Sequence, residues 1–137
     1  MFYETIDDIT ADAGIRVKAS SLKQLVCRAV LATFNEITDI SKVNQRETQE
    51  IQAEGKFPFL LADIINKALV IHETKGFVAS GCKVLELSEN SVKLCLFGET
   101  YNPSIHTSGI LIKAATYHRL KVERKNGNYI AEIIFDI

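Results

Sequence analysis

The stretch that decides the fold is residues 6–16, which read Ile6-Asp7-Asp8-Ile9-Thr10-Ala11-Asp12-Ala13-Gly14-Ile15-Arg16. The short apolar segments on either side of it, Phe2–Ile6 and Ile15–Ala19, have the residue types and alternation of β-strands. Asp7, Asp8 and Asp12 therefore lie in a predicted turn at the end of a sheet. Such a turn offers oxygen ligands to a hard cation, and it is equally a common solvent-exposed turn.

Composition limits the classes of protein to which the chain can belong. Its 137 residues predict a single domain spanning 1–137, and 47% hydrophobic with 24% charged residues is typical of a globular protein. The net charge of −1 lacks the excess of Lys and Arg found in duplex-binding proteins. The longest apolar run, near Leu60, is interrupted by Asp63, Asn66 and Lys67, so we expect no membrane span.

The cysteines indicate a compartment. Cys27, Cys82 and Cys95 are odd in number and far apart in sequence. This spacing argues against a disulfide framework and against a zinc ribbon. Together with an N-terminus that lacks a signal-peptide core, it predicts a reduced, cytoplasmic protein.

Two helices are predicted. Ser20 or Ser21 caps the first, which runs to about Asp39 with apolar residues at helical spacing. Pro58 suits the first turn of the second, which runs from Phe59 to about Thr74 and ends before Gly76. Because the second helix has almost no polar face, we expect it to be the central buried helix.

The remaining elements are predicted to be strands. Their ranges are Glu47–Ala53 as an edge strand, Phe77–Leu87 and Ser91–Thr100 as a hairpin, Ile110–Glu123 as one long strand or two joined by a bend, and Tyr129–Ile137. Residues 101–109 are predicted to form a loop. Lys125-Asn126-Gly127 predicts the turn that precedes the last strand.

The last strand continues to the final residue, which places two carboxylates side by side. The Asp136 side chain and the α-carboxylate of Ile137 are a possible pair of oxygen ligands, or the chain simply stops after its last strand. If Asp12 joined them, each pair of charges at about 5 Å would repel by roughly 3 kcal/mol at an effective dielectric constant of about 20. Such a cluster needs a cation, a proton or a nearby Lys or Arg, and if the partner is a metal ion, hard oxygen ligands favour Ca²⁺ or Mg²⁺ over zinc.

Other chemistry is weakly indicated. Lys113 lies in a predicted strand and is either a partner for the carboxylates or a solvent-facing residue. His118 is either a base or a hydrogen-bonded structural histidine. The sequence contains no Ser or Cys nucleophile motif and no phosphate-binding glycine loop. The residues alone therefore give little support for an enzyme.

Four stretches together resemble the archease family. They are Thr10-Ala11-Asp12-Ala13-Gly14-Ile15; Leu60-Leu61-Ala62-Asp63-Ile64-Ile65-Asn66; Gly98-Glu99, Asn102-Pro103 and His106 followed by Lys113-Ala114-Ala115-Thr116-Tyr117-His118-Arg119-Leu120-Lys121-Val122; and Ile133-Ile134-Phe135-Asp136-Ile137. The resemblance extends over almost the whole chain and keeps the same order. The Lys-Ala-Ala-Thr-Tyr-His block and the terminal Phe-Asp-Ile are its most specific parts.

This resemblance implies a fold and a function. The fold would be α+β, a two-layer sandwich of a mostly antiparallel or mixed β-sheet with two main helices. The protein would not be a catalyst itself. It would activate the GTP-dependent tRNA-splicing RNA ligase by promoting guanylylation and repeated turnover and by broadening nucleotide use, so its involvement with tRNA would be indirect.

The resemblance also implies site residues. Asp12, Asp136 and Ile137 would hold the metal, with Ca²⁺ the usual assignment, and Lys113 would act with Asp12 and Asp136 in ligase activation. Ile9 departs from the family pattern, which usually has His before Thr-Ala-Asp. Two alternatives remain: a metal-dependent phosphoester hydrolase that uses the same carboxylates with His118, and a metal-independent, chaperone-like binding module.

Overall fold

The computed structural model describes residues 1–7 and 13–137. The elements are β1 (Glu4–Thr5), β2 (Ala13–Ala19), α1 (Leu22–Ile37), a short 3₁₀ helix (Ile40–Lys42), β3 (Glu47–Glu54), α2 (Phe59–Lys75), β4 (Phe77–Leu87), β5 (Ser91–Thr100), β6 (Ala114–Ala115), β7 (Lys121–Lys125) and β8 (Asn128–Asp136). None of the helices within these ranges is long and apolar enough to cross a membrane.

The strands of the described residues form two antiparallel sheets. In the first sheet β8 pairs with β2, β6 and β7, and β1 lies outside β2. The second sheet has the order β3-β5-β4, so β3 is an edge strand as predicted. Each helix contacts both sheets, which places the helices in a layer between them. The α+β class is confirmed, with two sheets rather than one.

Local sequence explains the helix ends. Ser21 accepts a hydrogen bond from the backbone N–H of Gln24 and so caps α1, as predicted. Gly76 ends α2 with φ of 67°, a conformation in which a glycine has no steric penalty. The α2 side chains that face the two sheets are fully buried, including Leu60, Leu61 and Ile64. This burial on opposite sides explains why the sequence of α2 lacks a continuous polar face.

Two predictions about strands were wrong in extent. The N-terminal strand is only Glu4–Thr5, although Phe2–Ile6 was expected. Residues 110–113 are not a strand, and β6 and β7 are short segments separated by a turn. The apolar side chains of 110–113 reflect packing instead, because Ile112 is buried while Leu111 and Lys113 point outward.

The prediction against a disulfide was also wrong. Cys27 on α1 and Cys82 on β4 form a disulfide, with their Cα atoms 5.5 Å apart and a sequence separation of 55. Helix α1 packs directly on β4, and this tertiary contact brings the two residues together. Sequence spacing does not reveal such a contact. Cys95 is a free thiol.

Candidate functional site at the end of strand β8

Lys113 and Asp136 are backbone neighbours at the end of β8. The Lys113 N–H donates to the Asp136 carbonyl at 2.8 Å, and Ala114 pairs with Asp136 in the ladder. On the other side of β8, Ala13 pairs with Phe135. The side chains of Lys113 and Asp136 are both exposed. The fold therefore brings a cation and an anion to the same end of the first sheet.

The carboxylates at this end suit a hard cation. Asp136 is followed directly by Ile137, whose residue surface is 43% exposed, so a side-chain carboxylate and the terminal carboxylate are adjacent. Oxygen donors of this kind are the ligands that Ca²⁺ and Mg²⁺ prefer. Asp12, the third predicted ligand, lies outside the described residues. Within 1–7 and 13–137, no three His, Cys, Asp or Glu side chains cluster as a metal site requires.

His118 lies in the turn between β6 and β7 and is exposed. Among the described residues, no hydrogen bond joins it to Lys113 or to Asp136. The prediction of an accessory role for His118 stays a prediction. Its neighbour Arg119 has φ of 54°, which marks the sharp reversal of the chain at this turn.

Helix α2 holds the segment that carries Lys113. The Asn66 carboxamide donates from Nδ2 to the Ala115 carbonyl at 3.0 Å and accepts the Ala115 N–H on Oδ1 at 2.7 Å. One turn earlier, Asp63 accepts a hydrogen bond from the Tyr117 hydroxyl at 2.5 Å. That bond, made to a carboxylate, raises the pKa of Tyr117 above its ordinary value of 10.0. The Tyr117 ring also packs against Phe59, with ring centroids 4.9 Å apart.

A cavity opens beside Lys113. Its volume is about 460 Å³, and it lies between the C-terminal turn of α2 and residues 111–113. His72 lines it and has its Nδ1 2.9 Å from the Phe77 carbonyl. Since a carbonyl only accepts, Nδ1 carries the hydrogen and Nε2 of the neutral ring has a lone pair. Glu73 and Tyr101 line the same cavity.

The chain matches one family over almost its whole length. The model of the Archease protein family (MTH1598/TM1083) matches residues 3–137. The chain belongs to the archease family. The curated protein archease of Methanopyrus kandleri is 38% identical over 132 residues, covering 93% of this chain and 94% of that protein. Protein archease of Pyrococcus abyssi is 34% identical over 133 residues, with 93% and 94% covered.

Solved structures of the archease family share the fold. The solution structure of Methanobacterium thermoautotrophicum protein 1598 has a TM-score of 0.83 at 26% identity, with 99% of each chain covered. The crystal structure of an archease, possible chaperone, from Thermotoga maritima has a TM-score of 0.61 at 19% identity, with 96% of this chain and 95% of that chain covered. The second likeness concerns the fold alone. The family predicted from the four sequence stretches is confirmed.

Sequence reasoning missed the residues that hold the Lys113 segment. Asn66 and Asp63 were recognised only as part of a family helix, and Tyr117 only as a neighbour of His118. A signal was present, because three residues with polar or aromatic side chains, Phe59, Asp63 and Asn66, recur at intervals of four and three along α2. That spacing puts them on one side of the helix, in a part (residues 59–66) that is otherwise apolar. The partner segment could not be deduced from it.

Proposed function

We propose that this protein activates the GTP-dependent tRNA-splicing RNA ligase, promoting its guanylylation and repeated turnover and broadening its nucleotide use. Membership of the archease family is the observation that carries the proposal, because the resemblance to that family implies a role in assisting the ligase. The position of Lys113 next to Asp136, on an exposed sheet end, is consistent with it. The protein would be a cofactor of the ligase and would involve tRNA only indirectly. It would work in the cytoplasm, where a disulfide such as Cys27–Cys82 is uncommon, so this part of the proposal rests on the family and not on the cysteines.

The metal part of the proposal concerns Asp12, Asp136 and the terminal carboxylate of Ile137. The two described donors are oxygen atoms on adjacent residues, which suits Ca²⁺ or Mg²⁺ better than a softer metal. When bound, the ion would neutralise the carboxylates and hold them in one arrangement. This would leave the protein with a rigid, defined tip to present to the ligase.

Lys113 would act by its charge. Guanylylation moves a nucleotidyl group, and the negative charge on phosphate oxygens is stabilised by a positioned cation. The Lys113 side chain is exposed and, among the described residues, has no ion-pair partner within 4.0 Å. Its ammonium group is therefore available to a partner without first breaking an ion pair to residues 1–7 or 13–137.

The test is guanylylation of the ligase from the same source, with and without this protein. Wild type should accelerate guanylylation, and Asp12→Ala should abolish the acceleration. Asp7→Ala is the matched control, because Asp7 is another carboxylate of the opening stretch and is not among the predicted ligands. No acceleration by wild type, or equal acceleration by Asp12→Ala, would reject the proposal.

The chaperone-like module is the second candidate. The Thermotoga maritima structure is described as that of an archease, possible chaperone. A chaperone-like protein would work without metal, so a single residue added after Ile137 should leave its effect intact. Under the first proposal the same addition displaces the terminal carboxylate and weakens metal binding. Turnover of a phosphoester by the isolated protein with Mg²⁺ or Mn²⁺ would instead favour the hydrolase alternative.

A further inference from the structure

The two-residue strand β6 is held from both sides. On one side it faces β8, where the N–H groups of Lys113 and Thr116 donate to the carbonyls of Asp136 and Ile134 at 2.8 and 2.9 Å. Thr116 directs its N–H to β8, and neighbouring residues of a strand direct their backbone groups to opposite sides, so the N–H and C=O of the preceding Ala115 point away from β8. Both of these groups bond to the side chain of Asn66.

Asn66 thus replaces a neighbouring strand. A pair of strand residues exchanges one N–H and one C=O, and a carboxamide offers the same two groups in one plane. The side chain is partly buried, as are the two hydrogen bonds it makes. Among the natural side chains of this length only Asn supplies a donor and an acceptor together, because Asp lacks the donor and Leu lacks both.

We infer that Asn66 is a positioning residue for Lys113. By fixing the Ala115 backbone two residues away, it holds β6 against β8 and so keeps Lys113 beside Asp136. The functional consequence rests on the proposed role in ligase activation, whereas the structural consequence can be measured on the isolated protein. Asp63 and Tyr117 hold the following turn, but their hydrogen bond is exposed, so we expect Asn66 to be the stronger restraint.

Amide hydrogen exchange on the isolated protein tests the restraint directly. In Asn66→Ala, the protection of the Lys113 and Ala115 amides from hydrogen exchange should fall by about tenfold or more. The two hydrogen bonds between the Asn66 side chain and the Ala115 backbone are lost, so β6 opens locally. The amide of Ile15, in the middle of the β2–β8 ladder, is the internal reference and should keep its protection. Unchanged exchange at Lys113 and Ala115 would overturn the inference whatever the ligase does.

Asn35 provides a matched control. It is a partly buried Asn on the other helix, and its carboxamide also makes two hydrogen bonds, donating to the Tyr3 hydroxyl at 3.0 Å and accepting the Ile40 N–H at 3.2 Å. Asn35→Ala removes the same chemical group from a site whose side-chain hydrogen bonds go to Tyr3 and Ile40 and not to residues 113–116. It should leave the exchange of the Lys113 amide unchanged.

Maximal guanylylation at saturating concentration of each variant then tests the consequence. Asn66→Ala should lower it by about tenfold, and Asn35→Ala should not, when both are folded at the assay temperature. Equal losses for the two variants would mean that Asn66 contributes only general stability, which overturns the inference. If wild type gives no stimulation, the proposed function fails, and the exchange experiment still decides whether Asn66 holds Lys113.

Asn66→Asp gives a conservative check. A carboxylate at this position still accepts the Ala115 N–H but repels the Ala115 carbonyl, whereas a protonated carboxyl group can donate to that carbonyl. Protection of Ala115 in this variant should therefore rise as the pH falls and the carboxyl group gains a proton. Protection that does not depend on pH, relative to wild type, would contradict the proposed pair of hydrogen bonds.

Discussion

Two polar regions of this molecule are built in opposite ways. The first, called here the anchored region, comprises the Cys27–Cys82 disulfide and the Glu99–His106 pair. The disulfide links α1 to β4, and the hydrogen bond between Glu99 and His106 connects the end of β5 to the loop that follows it. In the Glu99–His106 pair, both ring nitrogens and both carboxylate oxygens lie within hydrogen-bonding or ion-pair distance of a partner, and His106 is only 3% exposed. At the exposed end of β8, Lys113 and Asp136 instead present their charged side chains to solvent.

The partners of the pair in the anchored region show why it is structural. His106 Nδ1 accepts the N–H of Asn102 at 2.8 Å, so Nε2 carries the hydrogen and donates to Glu99 at 3.0 Å. Glu99 also accepts the N–H of Asn44 at 2.7 Å. Groups that are satisfied within the protein stabilise the fold and have little left for a ligand. The comparison predicts that changes in the anchored region reduce stability and changes at the exposed end reduce activity.

Loss of the disulfide should have the largest effect. A bond that closes a loop across 55 positions stabilises the folded state by up to about 4 kcal/mol in the chain-entropy description. Urea unfolding of Cys27→Ser should show a lower free energy of unfolding, with ligase stimulation by the folded fraction unchanged. Cys95→Ser is the control, because Cys95 is a free thiol. Equal unfolding midpoints for Cys27→Ser and wild type would contradict the prediction.

Lys113→Ala should have the reverse pattern. Removal of a positioned cation from a phosphoryl-transfer site lowers the rate by about a hundredfold, and we expect that loss in ligase stimulation. The free energy of unfolding should change by less than about 0.5 kcal/mol, because the side chain is exposed. Lys18→Ala, at another exposed lysine, serves as the control for net charge. Stimulation of the ligase by Lys113→Ala equal to that by wild type would contradict the prediction that changes at the exposed end of β8 reduce activity.

His106→Ala should reduce stability by about 2 kcal/mol, because the part-buried hydrogen bonds from the Asn102 N–H and to the Glu99 carboxylate are both lost. Thermal unfolding checks the size of the loss. Stimulation of ligase guanylylation by this variant, measured well below the midpoint temperature of its thermal unfolding, should match that of wild type. A loss of stimulation at a temperature where the variant is folded would assign His106 to the functional site instead of the fold.

The same contrast explains how much could be predicted from sequence. Features that depend on neighbouring residues were predicted from the sequence. They are the N-cap of α1, which is Ser21 of the two serines considered, the end of α2 at Gly76 and the β4–β5 hairpin. The family, and with it the α+β class, followed from four separate stretches of residues. What the sequence could not predict depends on contacts between distant segments. The disulfide forms only because α1 packs on β4, and the hydrogen bonds between Asn66 and Ala115 form only because α2 packs on β6.

Residues 110–113 show why a local pattern can mislead. Three apolar residues before Lys113 suggested a strand, yet these residues cross from the end of α1 to the end of β8 as irregular chain. Gly109 and Ile110 donate to the carbonyls of Ile37 and Glu36, at the last turn of α1, at 2.7 and 2.9 Å. A helix terminus has carbonyls without intrahelical partners, and this segment satisfies two of them. Backbone satisfaction here overrides strand propensity.

Glu99 should show the smallest effect, which is present at neutral pH and is lost in acid. Hydrogen bonds from the Asn44 N–H and from His106 hold the pKa of Glu99 below its ordinary value of 4.5. A carboxyl group whose pKa is lower in the folded state stabilises that state at pH values above its unfolded pKa. The contribution disappears as the pH falls below about 4.5 and through the folded pKa, because the unfolded chain then binds the proton more readily.

Acid unfolding of Glu99→Gln checks this pH dependence. Glutamine cannot lose a proton, so the variant should be less stable than wild type at neutral pH, and the difference should narrow as the pH falls below 4.5, the ordinary value, and through the lower folded pKa. A difference between Glu99→Gln and wild type that is independent of pH would mean that the carboxylate of Glu99 is not what anchors the loop.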